Sequence, residues 1–193
     1  MTLNRKNVGY FAKIICVLLV ITMAVALLLS LVNMITKDKI AENEAKKLQT
    51  AISKLFETSS ATTEKLDVDI KTNDNDIKKS FTALYAVTDA DQLVGYYAEV
   101  APVGYKGEIK MLVGINAAGS VCGIQILSHS ETVGLGDKIE NKSFLDKFLG
   151  NTTPQDPEKV DKISTATYSS TAVKLGVKTA LVALESFFGG VTQ

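Results

Sequence analysis

The chain has 193 residues, with 21 Lys+Arg balancing 21 Asp+Glu, one His, two Cys and no Trp. That length suits one globular domain plus an appendage. Zero net charge argues against nucleic acid as the main partner, because phosphate binding needs a basic surplus. The lone His and the distant Cys16 and Cys122 leave no His-rich metal centre and no CxxC pair for a zinc or Fe–S site.

The first element is apolar. Ile14–Ile35 runs for 22 residues without a charge. As a helix it spans about 33 Å, enough for the roughly 30 Å hydrocarbon core of a bilayer. Ala24-Val25-Ala26 lies in the middle of the run rather than at its end, which favours an uncleaved anchor over a signal peptide. Arg5, Lys6 and Lys13 precede the span, and Lys37, Lys39, Lys46 and Lys47 follow it, so flanking charge leaves the orientation open. The domains expected are a tail at 1–13, the span at 14–35, a juxtamembrane helix and linker at 36–75 and a folded domain at 76–193. Within 36–75, Ile40, Leu48, Ile52, Leu55 and Phe56 recur near helical spacing, predicting a helix to about Glu57. The polar stretch Thr58–Asn75 reads as a linker with a short strand around Val68–Ile70.

Four strand-like runs follow: Phe81–Val87, Leu93–Val100, Ile109–Ile115 and Val121–Leu127. β-branched and aromatic enrichment with short turn-forming gaps predicts an antiparallel meander. Tyr96 and Tyr97 should point to opposite faces of their strand. A helix is expected from Asp137 to Leu149, stopped by Gly150, then a loop at Thr152–Glu158. Val173, Val177, Ala180, Leu181, Leu184 and Phe188 mark the last helix, ended by Gly189-Gly190. Strands grouped ahead of helices give an α+β fold, an antiparallel sheet with flanking helices.

Two segments carry candidate chemistry. Ser164–Thr171, just before the last helix, holds six Ser/Thr hydroxyls. They serve either as helix caps or as an anion site, where free N–H groups and the positive dipole end suit a phosphate. His129-Ser130-Glu131-Thr132-Val133-Gly134-Leu135-Gly136-Asp137 joins a strand to a helix. It is either a glycine turn with Asp137 as N-cap, or a place where backbone approaches a planar ligand.

The sequence Asp161–Ser169, D-x-x-S-T-A-T-Y-S, resembles the flavinylation motif of FMN-binding domains, D-x-x-S-G-A-T/S-x-T. His129–Gly136 is similar to the H-x-E-T-P-G-L-G of that family, and Gly104-Tyr105-Lys106-Gly107 with Glu108–Ile115 to its G-Y-x-G…I…G-I pattern. Together with one N-terminal span, these motifs resemble the G subunits of Rnf-type ion-translocating ferredoxin:NAD oxidoreductases. The C subunits of the sodium-translocating NADH:quinone reductases are close relatives.

The resemblance implies FMN bound through a phosphoester to Thr167 by a flavin transferase that reads the motif, Asp161 included. It implies a phosphate pocket of Ser164, Thr165, Ala166, Ser169 and Ser170, and a ring side formed by His129, Glu131, Thr132, Gly134 and Leu135. It further implies an electron-relaying subunit of a translocase in the cytoplasmic membrane, inactive alone, with its domain outside the cytoplasm and the other complex subunits as partners. The alternative is a membrane-anchored flavin-containing sensor or binding module. Three positions depart from the pattern: Thr165 for Gly, Val133 for Pro and Ser169 for Thr. A β-branched residue resists positive φ, so Thr165 requires either an extended backbone or a looser fit.

Overall fold

The computed structural model describes residues 5–58 and 61–191, so the first four residues of the expected tail lie outside the described residues. The chain divides into two compact units, Met1–Lys46 and Lys47–Gln193. The segment 36–75 is therefore shared between them.

The first unit is helix. It forms most of α1, Arg5–Phe56. Ile14, Leu18, Leu28 and Ile35 stand exposed along it, on a helix long and apolar enough to cross a membrane.

The second unit begins with the last turns of α1, where the burial pattern changes. Ala51, Ile52 and Leu55 are buried, with Leu48 and Phe56 packed beside them. The strand expected at Val68–Ile70 lies earlier, at Thr62–Leu66 (β1). There the chain pairs antiparallel with β2, Phe81–Asp89, from Thr62↔Thr88 to Leu66↔Leu84. Val68 and Ile70 instead pack as apolar plugs beside Ile77 and Ala183. Between β1 and β2 lies a short helix, α2 (Asn75–Ser80), capped by Asp74, whose carboxylate accepts from Asp76 N–H at 2.9 Å. A six-residue helix has no apolar period to read, which hid it in the sequence.

The meander forms as expected. Strands β3 (Gln92–Val100), β4 (Lys110–Asn116) and β5 (Val121–Ser128) complete an antiparallel sheet of order β1-β2-β3-β4-β5. Ala90 and Asp91 both have positive φ in the β2–β3 turn, the geometry that matches the strands' twist. Strand alternation sorts the two faces. Tyr96, Ala98 and Val100 face a core shared with the last helix, α4 (Thr167–Val191). Tyr97 and Leu112 face the end of α1, where Tyr97 stacks on Tyr85 with centroids 4.7 Å apart.

The helix expected from Asp137 to Leu149 breaks into a 3-10 turn (Gly136–Glu140), one α turn (α3, Lys142–Leu145) and another 3-10 turn (Asp146–Phe148). Ile139, Phe144 and Phe148 still bury their side chains. The apolar spacing survives because each short turn aims one side chain at the sheet. A 3-10 turn also occupies Asp156–Lys159, across the end of the expected loop. Helix α4 runs on through Gly189-Gly190 to Val191 instead of ending there.

Candidate functional site

Three segments distant in sequence meet at the N-terminus of α4. The first is the turn after β3, where Gly104 N–H donates to Gly107 C=O at 2.7 Å and Ile109 N–H to Pro102 C=O at 2.9 Å. The second is the loop after β5, Ser128–Gly136. The third is Ile163–Ser170, where Ala166 N–H closes a turn on Ile163 C=O before the helix begins. They enclose a cavity of about 430 Å³ lined by Tyr105, Glu131, Thr132, Leu135, Gly136 and Ser164–Ser169. That volume lies in the usual range for cofactor sites.

Glu131 ties the three together. Its side chain is buried, 6% exposed. One carboxylate oxygen accepts from the backbone N–H groups of Tyr105 and Lys106, each at 3.0 Å. The other accepts from the Ser169 hydroxyl. Three donors on one buried carboxylate offset its desolvation. Two glycines make room for it. A Cβ on Gly104 would lie 2.6 Å from Glu131 Oε1, and one on Gly136 would lie 2.8 Å from Glu131 Cβ.

His129 stands behind this clamp. Its Nδ1 accepts from Glu131 N–H at 3.1 Å, so the neutral ring carries its proton on Nε2, facing Glu140 Oε1 at 3.1 Å. His129 and Gly134 do not line the cavity. Gly134 instead supplies the turn, with φ of 78°, and donates its N–H to Asp137 at 2.9 Å. Asp137 is thus no N-cap. It lies inside the 3-10 turn and bonds backwards. Thr132 C=O accepts the N–H groups of Leu135 and Gly136, folding the loop tightly while Val133 stays exposed.

On the hydroxyl-rich side, the residues divide by depth. Ser164, Thr165 and Thr167 are exposed at the cavity edge, and Ser169 is buried under it. Thr167 opens α4, where first-turn N–H groups have no intrahelical acceptor. Its hydroxyl makes only a long contact, 3.5 Å, to Ser164 C=O. Ser170 departs from the expected pocket. It is fully buried, accepts from Ile163 N–H at 3.3 Å and donates to Ala166 C=O at 2.8 Å, so it braces the loop from within. Asp161 is exposed and outside the cavity. Thr165 is not among the residues with positive φ, so the missing glycine costs no strain, and its hydroxyl meets Lys138 Nζ at 3.2 Å.

Tyr105 and Tyr168 are lining residues that motif reasoning passed over. Tyr105 is the Tyr of the G-Y-x-G pattern and Tyr168 the variable position of the hydroxyl-rich motif, and sequence spacing gave no sign that the two rings meet. Lys174 holds the loop ahead of the motif, donating to Glu158 and Val160 carbonyls at 2.8 and 2.7 Å.

Residues 104–182, which carry this hydroxyl-rich helix N-terminus and the cavity beside it, match the FMN-binding domain family. Residues 16–55 match the RnfG N-terminal region. The G subunit of the ion-translocating oxidoreductase complex of Shewanella piezotolerans is 32% identical over 168 residues, 79% of each chain. Its counterpart from Aliivibrio fischeri is 31% identical over 180 residues, 86% of each. The chain belongs to the family of G subunits of ion-translocating oxidoreductase complexes. Its fold is also that of the Shewanella oneidensis NqrC crystal structure, at 16% identity and a TM-score of 0.61, covering 79% of this chain and 99% of that one.

Proposed function

We propose that this protein carries FMN esterified to Thr167 and relays electrons between membrane subunits of an Rnf-type complex, from ferredoxin towards NAD. The observation that carries the reading is the Thr167 hydroxyl itself. It is exposed, weakly engaged and placed on the first turn of a buried helix at the cavity edge.

A flavin transferase using FAD accounts for attachment. Thr167 Oγ1 attacks the flavin-side phosphorus of the FAD pyrophosphate. The new Thr O–P bond replaces the P–O bond to the adenylate, AMP leaves, and the hydroxyl proton passes to base or solvent. The run Asp161–Thr165, exposed except at Ile163, is braced there by Ser170 and follows the loop that Lys174 holds, and it suits recognition by another enzyme. The N-terminus of α4 and the Ser164 and Thr165 hydroxyls would hold the phosphate of an attached FMN.

When bound, FMN supplies the electron-carrying chemistry, and the chain supplies position and surroundings. Glu131, with Ser169 and the Tyr105-Lys106 turn, fixes the two walls of the cavity. Thr132 and Leu135 line its far side. An ester also keeps the site occupied where free FMN is scarce, because occupancy no longer depends on ligand concentration. The long apolar helix supports a seat in a membrane; the cytoplasmic membrane, with the folded domain outside the cytoplasm, is what the family resemblance implies. One uncharged span offers no ion path, so pumping falls to multi-span partners.

Intact-mass measurement tests the attachment. The native protein should exceed its sequence mass by one FMN less water, and Thr167→Ala should lose that increment while keeping the fold. Flavin that survives denaturation in Thr167→Ala refutes the assignment.

A further inference from the structure

Two tyrosines stand uncovered at the mouth of the cavity. Tyr105 is 65% exposed and Tyr168 is 72% exposed, although elsewhere this chain buries Tyr96 and Tyr97. Their rings meet across the cavity with centroids 6.0 Å apart and planes 41° apart. They come from different segments, one from the turn after β3 and the other from the first turn of α4.

The same carboxylate anchors both segments. Glu131 accepts the N–H of Tyr105 itself and the hydroxyl of Ser169, the residue after Tyr168. Two aromatic side chains are thus presented on fixed backbone while their rings remain in solvent. Exposed apolar surface continues around them in Val103, Leu135 and Val133. Grouped exposed apolar side chains beside a cavity mark a surface that something covers.

The chemistry of the pair selects the occupant. Phenol faces are electron-rich and flat, and they stack on an electron-poor planar ring with offset faces in contact. A flat ring between two others needs centroids about 7 Å apart, twice the contact distance of about 3.5 Å. The present 6.0 Å is about 1 Å short of that. Tyr168 has little packing to lose by turning outward. It also adjoins Thr167, so a ring tethered there starts beside it.

We propose that Tyr105 and Tyr168 form an aromatic clip that takes the isoalloxazine ring between them, an inference that rests on FMN attachment at Thr167. The clip fixes the ring's orientation and shields its faces from water while leaving an edge open towards a partner.

The test uses full-length protein in detergent, produced together with a flavin transferase, with intact mass reporting the loading of each sample. Time-resolved flavin fluorescence is the second readout, because a tyrosine in contact quenches the excited ring by donating an electron and a distant one does not. Wild-type protein should be strongly quenched. The double variant Tyr105→Leu/Tyr168→Leu should keep the mass increment and become several-fold brighter, with a long-lived component. Tyr168→Phe should keep the ring's visible circular dichroism, because it still stacks, while losing part of the quenching.

A fully loaded double variant with wild-type lifetime and brightness overturns the clip and leaves the attachment standing. Loss of the mass increment only in the leucine variants also overturns it, since it assigns the tyrosines to transferase recognition. A wild-type chain without the increment removes the attachment and the clip with it.

Discussion

Replacing Glu131 by Ala should destabilise the folded domain by about 2–4 kcal/mol. The change strands three donors: the N–H groups of Tyr105 and Lys106, each 3.0 Å from the carboxylate, and the Ser169 hydroxyl. Hydrogen bonds to a charged group are worth about 1.5–3 kcal/mol each, and relief of the buried charge offsets part of that sum. Tyr105 and Lys106 lie at the surface, so water recovers some of their loss. For a unit of this size, about 3 kcal/mol corresponds to a fall in melting temperature of roughly 6–12 °C. Glu131→Gln should lose only about 1 kcal/mol, because its carbonyl oxygen still accepts the two backbone N–H groups. Thermal melts of the full chain made without flavin transferase isolate the protein's own contribution, and flavin loading measured separately reports on the site. If Glu131→Ala melts within about 1 °C of wild type, the clamp carries no stability and the account of the three-segment junction is wrong.

Gly104→Ala forces a Cβ to 2.6 Å from Glu131 Oε1 and 2.8 Å from Ile109 Cδ1, and should lose about 1–3 kcal/mol by overpacking. Gly107→Ala, with nothing within 4 Å of its Cβ, should stay within about 0.5 kcal/mol of wild type in the same chemical-denaturation series. Burial pushes the Tyr97 phenol above its usual value near 10, against the opposing effect of its hydrogen bond with Thr63 and with the nearby Glu99 and Tyr85 adding to the rise. The folded state then holds that proton more tightly than the unfolded chain, so the stabilisation is complete below about pH 10 and declines as pH rises beyond it. Tyr97→Phe should flatten the alkaline limb of a stability–pH curve while lowering stability at neutral pH by about 1 kcal/mol through loss of the bond to Thr63.

Local pattern was enough for much of this protein. The uncharged run Ile14–Ile35 requires a helix in an apolar medium, since nothing else satisfies its backbone there. β-branched and aromatic runs with turn residues between them predict the meander, and the apolar stripe from Val173 to Leu184 turns α4 towards it. The motif pair pointed to one family because each motif does something local and physical, hydroxyls opening a helix in one and glycines tightening a loop in the other.

Tertiary contact decided the rest. The break of residues 136–148 into short turns follows from fitting Ile139, Phe144 and Phe148 against the sheet, which no helical period records. Gly114 and Gly123 are partners in adjacent strands, and a Cβ on Gly123 would come 2.7 Å from Leu55 of α1. The sequence shows two strand glycines but not the helix that needs them small. Glu131 reads in sequence as an acid near a ligand. Only the fold brings it 3.0 Å from two N–H groups 25 and 26 residues earlier and onto a hydroxyl 38 residues later. Periodicity reports which face a side chain takes. It carries no information about which distant donor will be waiting there, because that depends on how the sheet, the loops and α4 close on one another.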